Sequence, residues 1–103
     1  MVKLTNSGIH LSATNETWST SCYVNKAIDV TNLASIIFYV SGNHNQSASG
    51  AILLNSNKSI VRTIFEFGNR SINVYDLSGN YYIGFFTRGY NSANFYVTKI
   101  IAK

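Results

Sequence analysis

The sequence predicts an all-β fold, an antiparallel sandwich or barrel, on three observations. Short apolar runs rich in Val, Ile, Phe and Tyr recur at roughly 8–12-residue spacing, about seven to nine in all. Clusters of Asn, Ser, Gly and Asp separate them. Several runs alternate with period two, the signature of a strand with one buried face. No stretch sustains a 3.6-residue period, and the only helix candidate, residues 26–35, carries Val30 and Thr31 in its middle. A chain of 103 residues has room for a single domain.

Residues 1–17 are polar, with Ile9 and Leu11 flanking His10, and read as an edge strand or an arm. Residues 18–24 form a strand that puts Trp18, Cys22 and Val24 on one face. Asn25-Lys26 breaks it, residues 27–30 are a short extended piece, and Thr31-Asn32 is a turn. Residues 34–40, ASIIFYV, are apolar, β-branched and aromatic, as expected of a central strand covered on both faces. Residues 41–50, SGNHNQSASG, read as an exposed loop. Residues 50–54 are the next strand and 55–58 a turn.

In residues 59–67, Val61, Thr63, Phe65 and Phe67 alternate with Arg62, Ile64 and Glu66, so one face is wetter. Residues 70–75 form a strand with Ile72 and Val74 on one side, and 76–80 a loop. The most distinctive stretch is 78–102, SGNYYIGFFTRGYNSANFYVTKIIA. Two aromatic runs, 81–87 and 95–101, flank a polar link and are expected to form a β-hairpin. Tyr81, Ile83 and Phe85 share one face of the first run. Gly84, on the other face, marks a bulge or a close backbone approach.

Composition excludes disorder: 46% of residues are hydrophobic and 14% aromatic, enough to bury a core. Only 12% are charged, so the polar surface is built from Asn, Ser, Thr and Tyr. Such a surface suits sugars or other protein copies. The net charge is +4, but the eight cations are scattered and form no basic run that would mark a nucleic-acid stripe. The longest apolar run is far below membrane-spanning length, and Met1-Val2-Lys3 is followed by polar residues with no secretion signal. A location in the cytoplasm, or release by another route, for example as part of a larger particle, is therefore expected. Four Asn-x-Ser/Thr matches, at Asn15, Asn45, Asn57 and Asn69, are what chance gives in a chain with thirteen asparagines.

No set of residues carries recognisable catalysis. Glu16, Asp29, Glu66 and Asp76 are the four carboxylates, and none lies in a motif of the paired kind that glycoside hydrolysis needs. Asp76 reads as a turn former. His10, His44 and Cys22 are scattered, so no metal site and no cofactor are expected. Cys22 is alone and reads as a small buried hydrophobe rather than a nucleophile. Sugar recognition asks for a ring to stack on C–H faces and polar groups for the hydroxyls. The link around Arg88, Tyr90 and Asn91 supplies these, with Tyr82 and Trp18 as further surfaces.

Four pieces, IDVTNLASIIFYVSG (28–42), GAILL (50–54), SINVYDLSGNYYIGFF (71–86) and SANFYVTKI (92–100), follow one another in an order that resembles galactose-binding-like modules. These are jelly-roll β-sandwiches of bacteriophage virion and tail proteins and of glycan-binding proteins. The acidic calcium-binding clusters of such relatives have no counterpart here. The resemblance implies a jelly-roll-like antiparallel β-sandwich without enzymatic activity. It implies a phage- or prophage-type virion module that binds a cell-surface polysaccharide or packs in a tail or capsid assembly, alone as a homo-oligomer or with other virion proteins. Two other readings stand beside it: a purely structural oligomer without ligand, and an OB-like binder of single-stranded nucleic acid.

Overall fold

The alternating runs resolve into two facing antiparallel sheets. The computed structural model describes residues 2–5, 8–13, 19–43, 49–65, 70–88 and 93–103. They form β1 (Val2–Thr5), β2 (Gly8–Ala13), β3 (Ser19–Tyr23), β4 (Ile28–Asp29), β5 (Ser35–Asn43), β6 (Ser49–Leu54), β7 (Ile60–Phe65), β8 (Ser71–Asn73), β9 (Asn80–Arg88) and β10 (Ala93–Ala102). One sheet runs β1-β2-β10-β5-β8 and the other β3-β9-β6-β7, with β4 paired to the start of β9. Without β1 and β4, the order β2-β10-β5-β8 facing β3-β9-β6-β7 is that of a jelly roll. The protein is a jelly-roll-like β-sandwich, and the barrel alternative falls away.

Period-two alternation decides what meets in the middle. Leu11, Ile36, Phe38, Ile72, Phe95 and Val97 of the first sheet face Ala51, Leu53, Ile83 and Phe85 of the second. Phe38 and Phe85 meet edge to face, with ring centroids 5.5 Å apart at 79°. In β10 the register shifts between Val97 and Lys99. This bulge turns the inward parity from Phe95 and Val97 to Ile100, which packs on the core. Two hydroxyls are buried in this apolar layer, and they satisfy each other: Ser49 Oγ donates to Thr87 Oγ1 at 2.8 Å.

Several expectations need correction. Residues 81–87 and 95–101 are strands but not a hairpin, because β9 and β10 lie in opposite sheets. Each already has a strand on both edges: β9 lies between β3 and β6, and β10 between β2 and β5. Those longer-range ladders outweigh a pairing between neighbours in sequence. β5 is an interior strand, next to the edge strand β8, rather than the central one, and it is covered on one face only, since Tyr39 is 49% exposed. The strand covered on both faces is β6, buried at every position.

Of the loop expected at 41–50, residues 41–43 belong to β5 and residues 49–50 to β6, and residues 44–48 lie outside the described residues. In β7 the dry face is the one carrying Arg62 and Ile64: Ile64 packs on the core, and Val61 is exposed. At the start of the chain β1 is an edge strand. β2 lies inside the sheet, with Leu11 fully buried.

Candidate functional site

Of the five residues that the sequence singles out for binding, Trp18, Tyr90 and Asn91 lie outside the described residues. Arg88 lies in β9 opposite Ser19. Tyr82 is the one whose side chain can be followed, and it stands in a cluster.

The cluster is built on the outer face of the β3-β9-β6-β7 sheet. Tyr82, Gly84 and Phe86 point outward from β9 because Ile83, Phe85 and Thr87 point inward. Register sets Tyr23 and Ile52 on either side of Gly84, and Leu54 beside Tyr82. Gly84 has no side chain, so Ile52 lies over it: a β-carbon there would be 2.9 Å from Ile52 Cγ1. Phe86 lies over Gly50 in the same way, 2.8 Å from where a β-carbon would be. These two glycines are why the outer face is apolar and largely dry around β6. Gly84 makes a close approach, with its β-carbon position 2.5 Å from Cys22 O.

Above this floor stand two rings and a cation. Tyr23 and Tyr82 meet edge to face at 5.9 Å and 74°. Lys58 Nζ lies 3.7 Å from the Tyr82 ring centroid and 5.7 Å from that of Tyr23, well within cation–π range. The turn before β7 holds Lys58 in position. Asn55 Oδ1 accepts from the backbone N–H of Asn57 (2.9 Å) and Ser59 (3.1 Å), and Asn55 O accepts from Lys58 N–H (2.9 Å). Lys58 takes a left-handed conformation, φ 63°, which costs a non-glycine residue about 1–2 kcal/mol. Among the described residues no carboxylate pairs with this ammonium. Ser21, Tyr23, Ile52, Leu54, Lys58 and Ile60 line a cleft of about 530 Å³, a ligand-sized space. Tyr23 is 43% exposed at its mouth.

Several other polar groups already have partners. Asp76 lies in the turn that Leu77 N–H closes onto Val74 O at 3.0 Å, and it does more than form that turn: Arg62 donates to its Oδ2 at 2.6 Å and to Asn73 O, tying β7 to the end of β8 across the open side of the sandwich. That bond holds the Asp76 carboxyl below its ordinary range. Asp29 accepts from Thr31 N–H at 3.0 Å, which lowers its pKa and organises its own turn. Cys22 is partly buried against the core, and burial pushes its thiol up, away from the nucleophilic thiolate. His10 stacks on Tyr96 at 4.5 Å and bonds Asn94 Oδ1. Among the described residues no three of His, Cys, Asp and Glu converge, and no helix is long and apolar enough to cross a membrane.

No family model, curated protein or solved structure matches this chain. Its function is therefore argued from its own residues. Tyr23, Lys58 and Arg62 were missed by sequence reasoning. The signal for Tyr23 was available: in a strand that buries Cys22, its neighbour must face out.

Proposed function

We propose that the protein is a non-enzymatic, phage-type virion module that holds a cell-surface glycan on the outer face of the β3-β9-β6-β7 sheet. One observation carries the reading: two tyrosine rings and an ammonium with no carboxylate partner among the described residues stand together over an apolar floor. The exposed Tyr23 ring and the floor suit the C–H faces of a pyranose, with Tyr82 backing the Lys58 ammonium that covers one of its faces. The Lys58 ammonium, the Ser21 hydroxyl and the phenols suit its hydroxyls. The positive charge favours a glycan that carries carboxylate or phosphate. Jelly rolls serve both lectin and viral capsid domains, which supports the reading as an analogy of fold.

The test is a binding screen against bacterial cell-wall polysaccharides and a glycan panel, with Tyr23→Ala and Tyr82→Ala beside wild type. Tyr23 is exposed enough to be removed without unfolding the protein. Loss of binding in both folded variants is the expected result. Binding that survives both moves the ligand elsewhere, and no binding to any member of the panel overturns the glycan reading.

A second reading, a structural homo-oligomer without ligand, draws on one feature. The edge strand β7 exposes Ile60 (58%) and Val61 (43%) beside the same face, and an apolar edge invites pairing. A monomer at all concentrations in sedimentation would remove it. The OB-like nucleic-acid reading loses its architectural basis, since that fold is a five-stranded barrel.

A further inference from the structure

A second cleft lies at the open edge of the sandwich, between β7 and the turn that follows β8. Arg62, Asn73, Tyr75 and Asp76 line it together with Thr63, and it encloses about 320 Å³, the low end of the range for small ligands. We propose that it is a carbohydrate subsite that recognises a vicinal diol. The inference rests on the reading of the protein as a glycan binder, but not on the outer-face site.

The argument starts from what the residues leave unspent. Arg62 has five N–H donors, and two are used, one to Asn73 O and one to Asp76 Oδ2. The carboxylate has about four lone-pair positions; Arg62 takes one, and the backbone N–H of Asp76 itself bears on another. Both side chains remain partly open to solvent. The bridge, closed at 2.6 Å between Arg62 Nη2 and Asp76 Oδ2, therefore presents the remaining guanidinium donors beside the remaining carboxylate lone pairs, held in one orientation by the backbone bond to Asn73 O.

Adjacent hydroxyls of a pyranose match this pair. One donates to the Asp76 carboxylate, and its neighbour accepts from the Arg62 guanidinium. Thr63 and Asn73 add a hydroxyl and an amide at the rim. Tyr75 completes the arrangement. It is 74% exposed, so its ring does little for the core, and it stands next to Asp76 where it can cover the C–H face of the same sugar. A clamp between two sheets needs the ion pair, but it does not need the tyrosine.

The experiment uses the ¹⁵N-labelled full chain and the methyl glycosides of mannose, galactose and glucose. Amide shifts are followed at Thr63, Asn73 and Asp76 for the edge cleft, and at Ser21, Tyr23 and Ile52 for the outer face. Saturable shifts at the edge-cleft amides are expected, strongest for the sugar whose diol fits best. Tyr75→Ala is expected to weaken them about tenfold with an unchanged melting temperature. Asp76→Asn, checked for an intact amide spectrum, is expected to abolish them. Shifts confined to the outer face would overturn the subsite and leave the function standing. Silence at both sites, together with an empty polysaccharide screen, would overturn both. Edge-cleft shifts that Tyr75→Ala leaves unchanged would overturn the subsite as described.

Discussion

Replacing Gly84 with alanine tests the packing that underlies the outer face. Gly84 is in β9 between Tyr23 of β3 and Ile52 of β6. An added β-carbon lies 2.5 Å from Cys22 O, where ordinary contact begins at 3.4 Å, so the carbonyl must retreat by about 0.9 Å. That carbonyl is backbone in a paired strand and cannot rotate away. Ile52 Cγ1 and Cδ1, at 2.9 and 3.1 Å, must also move. Overpacking of this kind costs about 1–3 kcal/mol. The lower entropy of the unfolded alanine chain offsets about 0.4–1 kcal/mol of it.

The net loss is roughly 1–2 kcal/mol, which lowers the melting temperature by roughly 5–15 °C in a domain of this size. Thermal and urea denaturation followed by circular dichroism would measure it. Gly79→Ala is the control: nothing lies within 4 Å of its β-carbon position, but φ is +91°, so its loss is backbone strain alone. In Gly84→Ala the displaced Ile52 also pushes into the cleft and weakens any ligand held there. A Gly84→Ala protein as stable as wild type would refute the tight approach of β3 to β9, and with it the account of why this outer face is dry.

Three further outcomes follow from the same geometry. Ser49→Ala leaves the Thr87 hydroxyl buried without its partner and is expected to cost about 1–3 kcal/mol. The double variant with Thr87→Val should recover most of that in urea melts, and equal losses in the single and double variants would refute the pairing. A double-mutant cycle of Phe38→Leu and Phe85→Leu should yield a coupling of about 0.5–1.5 kcal/mol for the edge-to-face contact; additivity would mean that the rings merely fill space. Asp76 has a lower pKa folded than unfolded because Arg62 bonds its ionised form. Its stabilisation is therefore complete above the unfolded value, about 3.9, and is lost as pH falls through the folded value. Melting temperatures followed down to about pH 2 should fall less steeply in Asp76→Asn than in wild type, and parallel curves would show that the bridge adds no stability.

Much of the fold was legible because it is written locally. Alternation at Ile72–Val74 and at Tyr81–Ile83–Phe85 sorted the two faces of each strand, and Gly84 marked either a bulge or the close approach that it makes. The pairing was not legible. β9 and β10 read as a hairpin because nothing in either run records that its edges are taken by strands far away in sequence. The bulge at residues 97–99 hid the true parity of β10, and the glycines that open the outer face to Phe86 and Ile52 act on strands other than their own. The candidate sites were harder still. Tyr75 reads as the next residue of a strand, but the strand ends at Asn73 and the ring turns out into solvent. Lys58 reads as turn punctuation, and only the fold brings it over Tyr82, 24 positions along the chain.

The strand order also dictates how this protein can be made. Residues 80–102 supply the partner of β2, β3, β4, β5 and β6. Until they leave the ribosome, a nascent chain has only the ladders β1–β2, β6–β7 and β5–β8 to form, and isolated pairs of strands are marginal in water. The sandwich consequently cannot close before residues 80–102 have been made, and it folds slowly for its size, as expected where most contacts are distant in sequence. In the interval the chain carries its unpaired apolar strands in the open. The edges of β2, β3, β5 and β6 that β9 and β10 later cover are where copies of the unfinished chain would pair with one another.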